Sequence, residues 1–340
     1  MERKGIIGVG NWIVDSVKFI TVYPQKGNLT NIVGQDQGLG GCAHNVLADL
    51  ASLKSGLPLY AGGCIGDDEY GRMCLDACDR LGIDRANIKT LPGEATSYTD
   101  VMSEIEGGRA RTFFHCRGAN AEFNPADLDR IDVPAKFFYL GYLLLLDSFD
   151  RIDSATGKPA AVKALASMRE KGYKTIVDFV SDAPERFRTV VLPALPEIDI
   201  LIVNEIEAQA CCGSVLRDGD RLNAAGLPAA IDRLFELGVR ETAIIHFPEG
   251  AAGRTRDGEY FCSPSIRIAA ADIAGTTGAG DAFAAGTIYA LHQGWAVEDA
   301  VRLGSASSYF NLLSPTATAG AVPLAKMTEF LKNCAFNPIP

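Results

Sequence analysis

Residues 274–283 read AGTTGAGDAF and run on into an apolar stretch of small residues, AFAAGTIYAL. Gly278, Ala279 and Gly280 form a turn in which consecutive backbone N–H groups can converge at a helix start. Such a nest, with the helix dipole behind it, binds an anion. Asp281 follows at once. A carboxylate is misplaced beside a bound anion unless it accepts a proton, and a base there suits a hydroxyl attacking a phosphoryl group. On spacing alone, a glycine-rich helix start with a stabilising first-turn acid fits equally well.

Two further segments offer polar groups. In GLGGCAHNVLADLASL, residues 38–53, Gly40 and Gly41 precede a helix that begins near His44 and Asn45. A dinucleotide-binding glycine motif follows its strand directly, whereas here about 30 residues separate Val9 from Gly38. The glycines instead suit close backbone approach to a polar ligand, with Asn45 supplying an amide donor and acceptor. The sequence VNEIEA, residues 203–208, follows the apolar run DILIV. Polar groups at the C-terminal end of a parallel strand sit where open α/β sheets bind ligands. Asn204, Glu205 and Glu207 are oxygen donors suited to Mg²⁺ held through water. Asn204 with Glu207 three residues on also reads as a capping box, and the two roles are compatible. No GxxxxGK[ST], GxSxG, HExxH or protein-kinase HRD/DFG set occurs, which removes the usual P-loop, serine-hydrolase and zinc-protease readings.

These groups need a frame, and the frame reads as strands alternating with helices. Apolar runs at 5–9, 59–65, 137–140, 175–179, 200–203 and 243–247 look like strands buried on both faces of a parallel sheet. Amphipathic stretches at 45–53, 72–81, 160–171 and 229–237 lie between them, and 282–293 and 297–313 read as two consecutive helices. The alternation predicts a doubly wound α/β fold with a mostly parallel sheet flanked by helices. Segments at about 12–36 and 95–117 break the pattern with extended sequence, the second as a hairpin turning at Glu106–Gly108. They predict a small separate sheet.

Composition bounds the partners. The 340 residues carry 42 acidic and 32 basic side chains, a formal charge of −10, which argues against nucleic-acid or anionic-membrane binding. The longest apolar run, residues 137–146, is too short for a bilayer that needs about 20 residues. The N-terminal sequence shows no secretory leader pattern. Nine scattered cysteines and four unclustered histidines match no zinc pattern and suit free thiols in a reducing cytoplasm. The 35 glycines exceed the ~7% average, a sign of tight turns and close ligand approach.

In this order and at these distances the motifs resemble the ribokinase-like (PfkB) carbohydrate kinases over nearly the whole chain. GGCAHN, residues 40–45, resembles the N-terminal signature GGxxxN. GCIGDDEYGRMCLDACDRLGID, 63–84, resembles the strand–GDDxxG–helix segment. NEIE, 204–207, matches NxxE, and TTGAGDAF, 276–283, matches the C-terminal signature. The resemblance implies one ribokinase-like domain over 1–340, with the two extended segments as a lid that often doubles as a homodimer interface. It implies transfer of the γ-phosphoryl group of ATP to a hydroxymethyl of a sugar or sugar acid. A nucleoside kinase on the same scaffold, or a catalytically silent binding protein, are the alternatives.

By the same resemblance Asp281 is the base and Gly278, Ala279 and Gly280 the anion hole. Asp15, Gly40, Gly41 and Asn45 would bind substrate hydroxyls. Asn204, Thr276, His246, Gly250 and Gly280 would bind nucleotide, and Asn204 and Glu207 would hold Mg²⁺ largely through water. Arg117 stands where some relatives acting on sugar acids carry a carboxylate-binding arginine; a turn or ion-paired arginine is the plainer reading. Trp12 suits either a ligand stack or the core. Gly275 replaces an aspartate that helps relatives bind a monovalent cation, which puts potassium activation in question. Phe247 replaces a glycine of the nucleotide loop, Ile13 a substrate-side asparagine, and Cys42 the lysine of ribokinases.

Overall fold

The computed structural model describes residues 3–106 and 111–339. Its frame is a nine-stranded sheet. In chain order its strands are β1 (Ile6–Gly10), β4 (Leu59–Gly66), β5 (Asp84–Leu91), β8 (Phe137–Leu143), β9 (Lys174–Phe179), β10 (Ile200–Asn204), β13 (Thr242–Phe247), β14 (Gly250–Thr255) and β15 (Phe261–Pro264). A second sheet holds β2 (Ile13–Ile20), β3 (Ile32–Gly40), β6 (Tyr98–Glu104) and β7 (Arg111–Cys116), and a short hairpin holds β11 (Arg217–Asp218) and β12 (Arg221–Leu222).

The large sheet runs β15-β14-β13-β10-β9-β8-β1-β4-β5. From β13 to β5 every pairing is parallel, and β14 and β15 add an antiparallel edge. Alternation along each strand splits the core in two. Ile7, Val9, Phe138 and Leu140 point to one face, where they meet the helices Ala160–Glu170 (α3) and Leu227–Glu236 (α5). Ile6, Phe137 and Tyr139 point to the other, against Cys42–Ser52 (α1), Ala279–His292 (α6) and Val297–Leu312 (α7). The remaining long helices are Glu69–Leu81 (α2), Glu205–Cys212 (α4) and Leu324–Leu331 (α8). The predicted α/β frame stands, and the edge strands β14 and β15 are additions to it.

The small sheet has the order β3-β2-β6-β7. Its outer pairs are antiparallel, while β2 and β6 pair in parallel through Val14–Tyr98 to Ile20–Glu104. β3 runs on to Gly40, past the predicted end near residue 36, because Gly34, Gly38 and Gly40 interrupt the alternation that would have marked it. The turn expected at Glu106–Gly108 lies partly outside the described residues. Among the described residues no helix is long and apolar enough to cross a membrane.

Candidate active site

The strands β1, β8, β9, β10 and β13 end on one side of the sheet, and Asn11 after β1, Asp178 near the end of β9, Asn204 at the end of β10 and His246 near the end of β13 are polar. Above them α6 begins. Its N-cap, Gly278, has φ +78°, and a Cβ there would stand 2.4 Å from the Ala317 carbonyl oxygen. Only glycine fits so tight a left-handed turn. The first N–H groups of a helix lack intrahelical acceptors. Ala279 turns its N–H toward Thr276 O at 3.3 Å, leaving the N–H groups of Gly280 and Asp281 as the helix's foremost free donors. A Cβ on Gly280 would come 3.4 Å from His246 Cε1, so the backbone here lies against the β13 histidine.

Asp281 is buried and accepts a 2.7 Å hydrogen bond from Asn45 Nδ2. Burial raises its pKa above the ordinary aspartate value, offset in part by hydrogen bonds from Asn45 and Cys42. Asn45 sits in the first turn of α1, which Gly41 caps with φ +87° and a would-be Cβ 2.4 Å from Asn11 O. A Cβ on Gly40 would strike the Asp15 carboxylate at 2.2 Å. The two glycines therefore let α1 start against β1 and β2. Asp15, from β2, hydrogen-bonds Thr99, and burial with the nearby Asp281 charge lifts its pKa to about 6.

Asn204 and Glu207 form the expected capping box: Asn204 Oδ1 accepts from Glu207 N at 2.8 Å, and Glu207 Oε2 accepts from Asn204 N at 3.1 Å. Glu207 Oε1 also accepts from Ser181 Oγ at 3.1 Å. A cavity of about 280 Å³ brings Asp178, Asn204, Glu207, His246, Gly280 and Asp281 together. Burial and the Asp178 charge raise Glu207, and burial and the Asp281 charge raise Asp178. No lysine or arginine lines this cavity among the described residues. Hard oxygen donors crowded together with no basic side chain among them fit a hard divalent cation.

A second cavity, about 360 Å³, opens toward the small sheet. Asp15, Arg111 and Thr277 supply polar groups, and Phe19, Leu39 and Phe113 are among its apolar lining. Arg111 Nη1 donates to Thr277 Oγ1, joining β7 to the turn before α6.

Several expected residues lie elsewhere. Arg117 is outside both cavities, in an ion pair with Asp147 at 3.2 Å. Thr276 gives its carbonyl to the turn, and its neighbour Thr277 lines the second cavity. Gly250 begins β14 and packs against Ser263 O, so its missing side chain serves the sheet edge. Trp12 is a core residue whose Nε1 donates to Gly62 O at 3.0 Å. Phe247 is buried in one of the two cores, which accounts for an aromatic where relatives have glycine.

Sequence reasoning passed over Asp178, Tyr139, Arg111 and Thr277. Cys42 Sγ hydrogen-bonds Asp178 Oδ2 at 3.0 Å and Tyr139 OH, and Tyr139 OH donates to Asp178 Oδ2 at 3.3 Å. Asp178 could have been found by the rule that found Asn204: it is the polar residue near the end of the apolar strand KTIVDF.

The sequence profile of the pfkB family carbohydrate kinases matches residues 11–323. The chain belongs to that family. It is a phosphotransferase with an alcohol acceptor. The kinase is 25% identical over 304 residues to a 5-dehydro-2-deoxygluconokinase of Clostridium perfringens, covering 86% of this chain and 84% of the relative. It is 27% identical over 293 residues to an adenosine kinase of Schizophyllum commune, covering 78% and 76%. In fold it is similar to Arabidopsis thaliana ribokinase complexed with ribose and ATP, with a TM-score of 0.79, 22% identity and 97% and 99% of the two chains covered.

Proposed function

We propose that this kinase transfers the γ-phosphoryl group of ATP to a hydroxymethyl of a small carbohydrate, with Asp281 as the base. One observation carries the reading: a buried carboxylate stands at the start of α6, beside free backbone N–H groups and the acidic cavity of Asn204 and Glu207. Phosphoryl transfer needs positioning and charge neutralisation more than covalent help. The N–H groups of Gly280 and Asp281, held in place by the Gly278–Gly280 turn, stabilise the developing charge, a task worth about 10²–10³ in rate per donor. Asp281 takes the proton of the attacking hydroxyl. Asp15, Gly40 and Asn45 hold the sugar, and His246 and Asn204 border the nucleotide. When bound, Mg²⁺ neutralises phosphate charge, and Asn204, Glu207 and Asp178 are the groups that would organise its waters. Gly275 offers no carboxylate to a monovalent cation, so potassium activation is not expected.

A nucleoside acceptor is the second reading, and the apolar lining of the larger cavity favours it: Phe19, Phe113, Leu39 and Ile105 suit a planar ring. Leu29, Val33, Phe113 and Phe114 are exposed on or beside the small sheet, which supports pairing of two copies there as a homodimer. Nine free cysteines support a cytoplasmic location.

The test is ADP release from ATP over a panel of neutral sugars, sugar acids and nucleosides, with Asp281→Asn beside the wild type. One acceptor class should release ADP, and Asp281→Asn should lose about 10²–10⁴ in kcat while still binding ATP. Near-normal turnover by the variant would overturn the base assignment.

A further inference from the structure

His44 lies next to Asn45 on α1 and takes no part in the site so far. It is 5% exposed, its ring meets Trp12 edge-on with centroids 5.9 Å apart, and its other surroundings include the cavity shared with Arg80 and Thr318. Its Nδ1 lies 3.1 Å from Asn45 Oδ1, and Asn45 Nδ2 lies 2.7 Å from Asp281 Oδ2.

The directions of these bonds follow from the chemistry of the groups. An ionised carboxylate only accepts, so Asn45 must turn its NH₂ to Asp281. Its Oδ1 then faces His44 and can only accept, so His44 must carry its proton on Nδ1. Burial holds the His44 pKa down at about 4, which keeps the ring neutral, and the Asn45 Oδ1 acceptor then selects the Nδ1–H tautomer.

We infer that His44 is a positioning residue that holds the oxygen end of the Asn45 amide, whose NH₂ end the Asp281 carboxylate already takes, so that the amide is pinned at both ends. The consequence reaches the reacting atoms, and it rests on Asp281 being the base. With Oδ1 occupied, Asn45 presents a donor and no acceptor toward the substrate. A hydroxyl oxygen that accepts from Asn45 Nδ2 has its own proton free to point at Asp281. Were the amide reversed, its oxygen would face the carboxylate and compete with it for that proton.

Steady-state kinetics on His44→Phe, His44→Asn, Asn45→Ala and the double variant His44→Phe/Asn45→Ala decide the matter. Phe keeps the ring against Trp12 and removes the donor; Asn restores an N–H near the place of Nδ1. His44→Phe should lower kcat about 10-fold at an unchanged KM for ATP. It should also move the acidic limb of the kcat/KM profile to higher pH, because an Asn45 amide held at one end only gives Asp281 a weaker bond of the kind that favours its charged form. The other groups that bear on Asp281, namely Asp15, Cys42, Asp49, Tyr139, Tyr142 and Asp178, are unaltered in every variant. His44→Asn should recover both values, and the double variant should be no slower than Asn45→Ala alone. Additive losses in the double variant, or a His44→Phe enzyme with the wild-type pH profile, would overturn the inference. If His44→Phe fails to fold, His44→Leu, which also lacks the donor, takes its place: a profile shifted to higher pH supports the inference, and a wild-type profile overturns it. Failure of the underlying reading is separate, since it shows as activity retained by Asp281→Asn.

Discussion

Two walls meet at the start of α6, and they are built by different means. The wall toward Asn204 and Glu207 is made from neighbours in sequence: a capping box spanning three residues and a helix start with its own N–H groups. Its side chains already hold one another, and its charge is acidic throughout. The wall toward the small sheet draws on β2, β3, β6 and β7 and the turn before α6, and exposes large apolar residues such as Phe113. A wall made of local backbone geometry suits a ligand common to a whole family, because it depends on few side chains. A wall of strand-borne side chains can be altered one residue at a time, and it is where an acceptor would be selected.

The contrast predicts unequal responses to a small change on each side. Gly278→Ala adds one carbon in a left-handed turn, against the Ala317 carbonyl. It should lower kcat by about 10² or more by displacing the N–H donors, and cost about 1–3 kcal/mol of stability through backbone strain. Phe113→Ala removes far more, yet it should raise only the acceptor KM, by less than about 10-fold, with kcat retained. Initial-rate kinetics and thermal melts on both variants measure this. Equal effects on kcat would erase the distinction between the walls.

The next effect concerns charge. Glu207 titrates above its ordinary value of 4.5 because it is buried and faces Asp178. The folded state therefore binds this proton more tightly than the unfolded chain. That contribution to stability is whole below about pH 4.5 and is lost as pH rises through the higher folded value. The unliganded kinase should lose melting temperature over that range, and Glu207→Gln should flatten the loss. Adding Mg²⁺ should restore stability at the alkaline end in the wild type and less so in the variant. A melting profile indifferent to Glu207→Gln would mean that this wall is not electrostatically loaded.

The same contrast explains what could be read in advance. The parallel strands were legible because burial on both faces leaves continuous apolar runs. The Asn204–Glu207 capping box and the Gly278–Asp281 helix start were legible because each arrangement sits within a few consecutive residues. The Cys42–Tyr139–Asp178 cluster was not, since its members come from α1, β8 and β9 and meet only when the sheet is assembled. Phe247 looked anomalous as a loop residue and is ordinary as a core one. Arg111 gave no signal either: its bond to Thr277 spans 166 positions of sequence.

Arg117 gives the smallest effect and the finest test of the acceptor wall. Its side chain and that of Asp147 are 34% and 45% exposed, and ion pairs of that exposure contribute about 0–1 kcal/mol. As the pair stands, Arg117 lines neither cavity. Arg117→Ala should therefore leave kcat and stability nearly unchanged, and change kcat/KM for sugar acids and neutral sugars by the same factor, within about 3-fold. A loss confined to sugar acids would have a definite meaning. The arginine would then leave Asp147 when a substrate carboxylate arrives, a bidentate bond being stronger than the exposed pair it replaces. Asp147→Asn separates the cases further. It frees the arginine, so it should improve sugar-acid turnover if the exchange occurs and do nothing if Arg117 only braces the turn after β8.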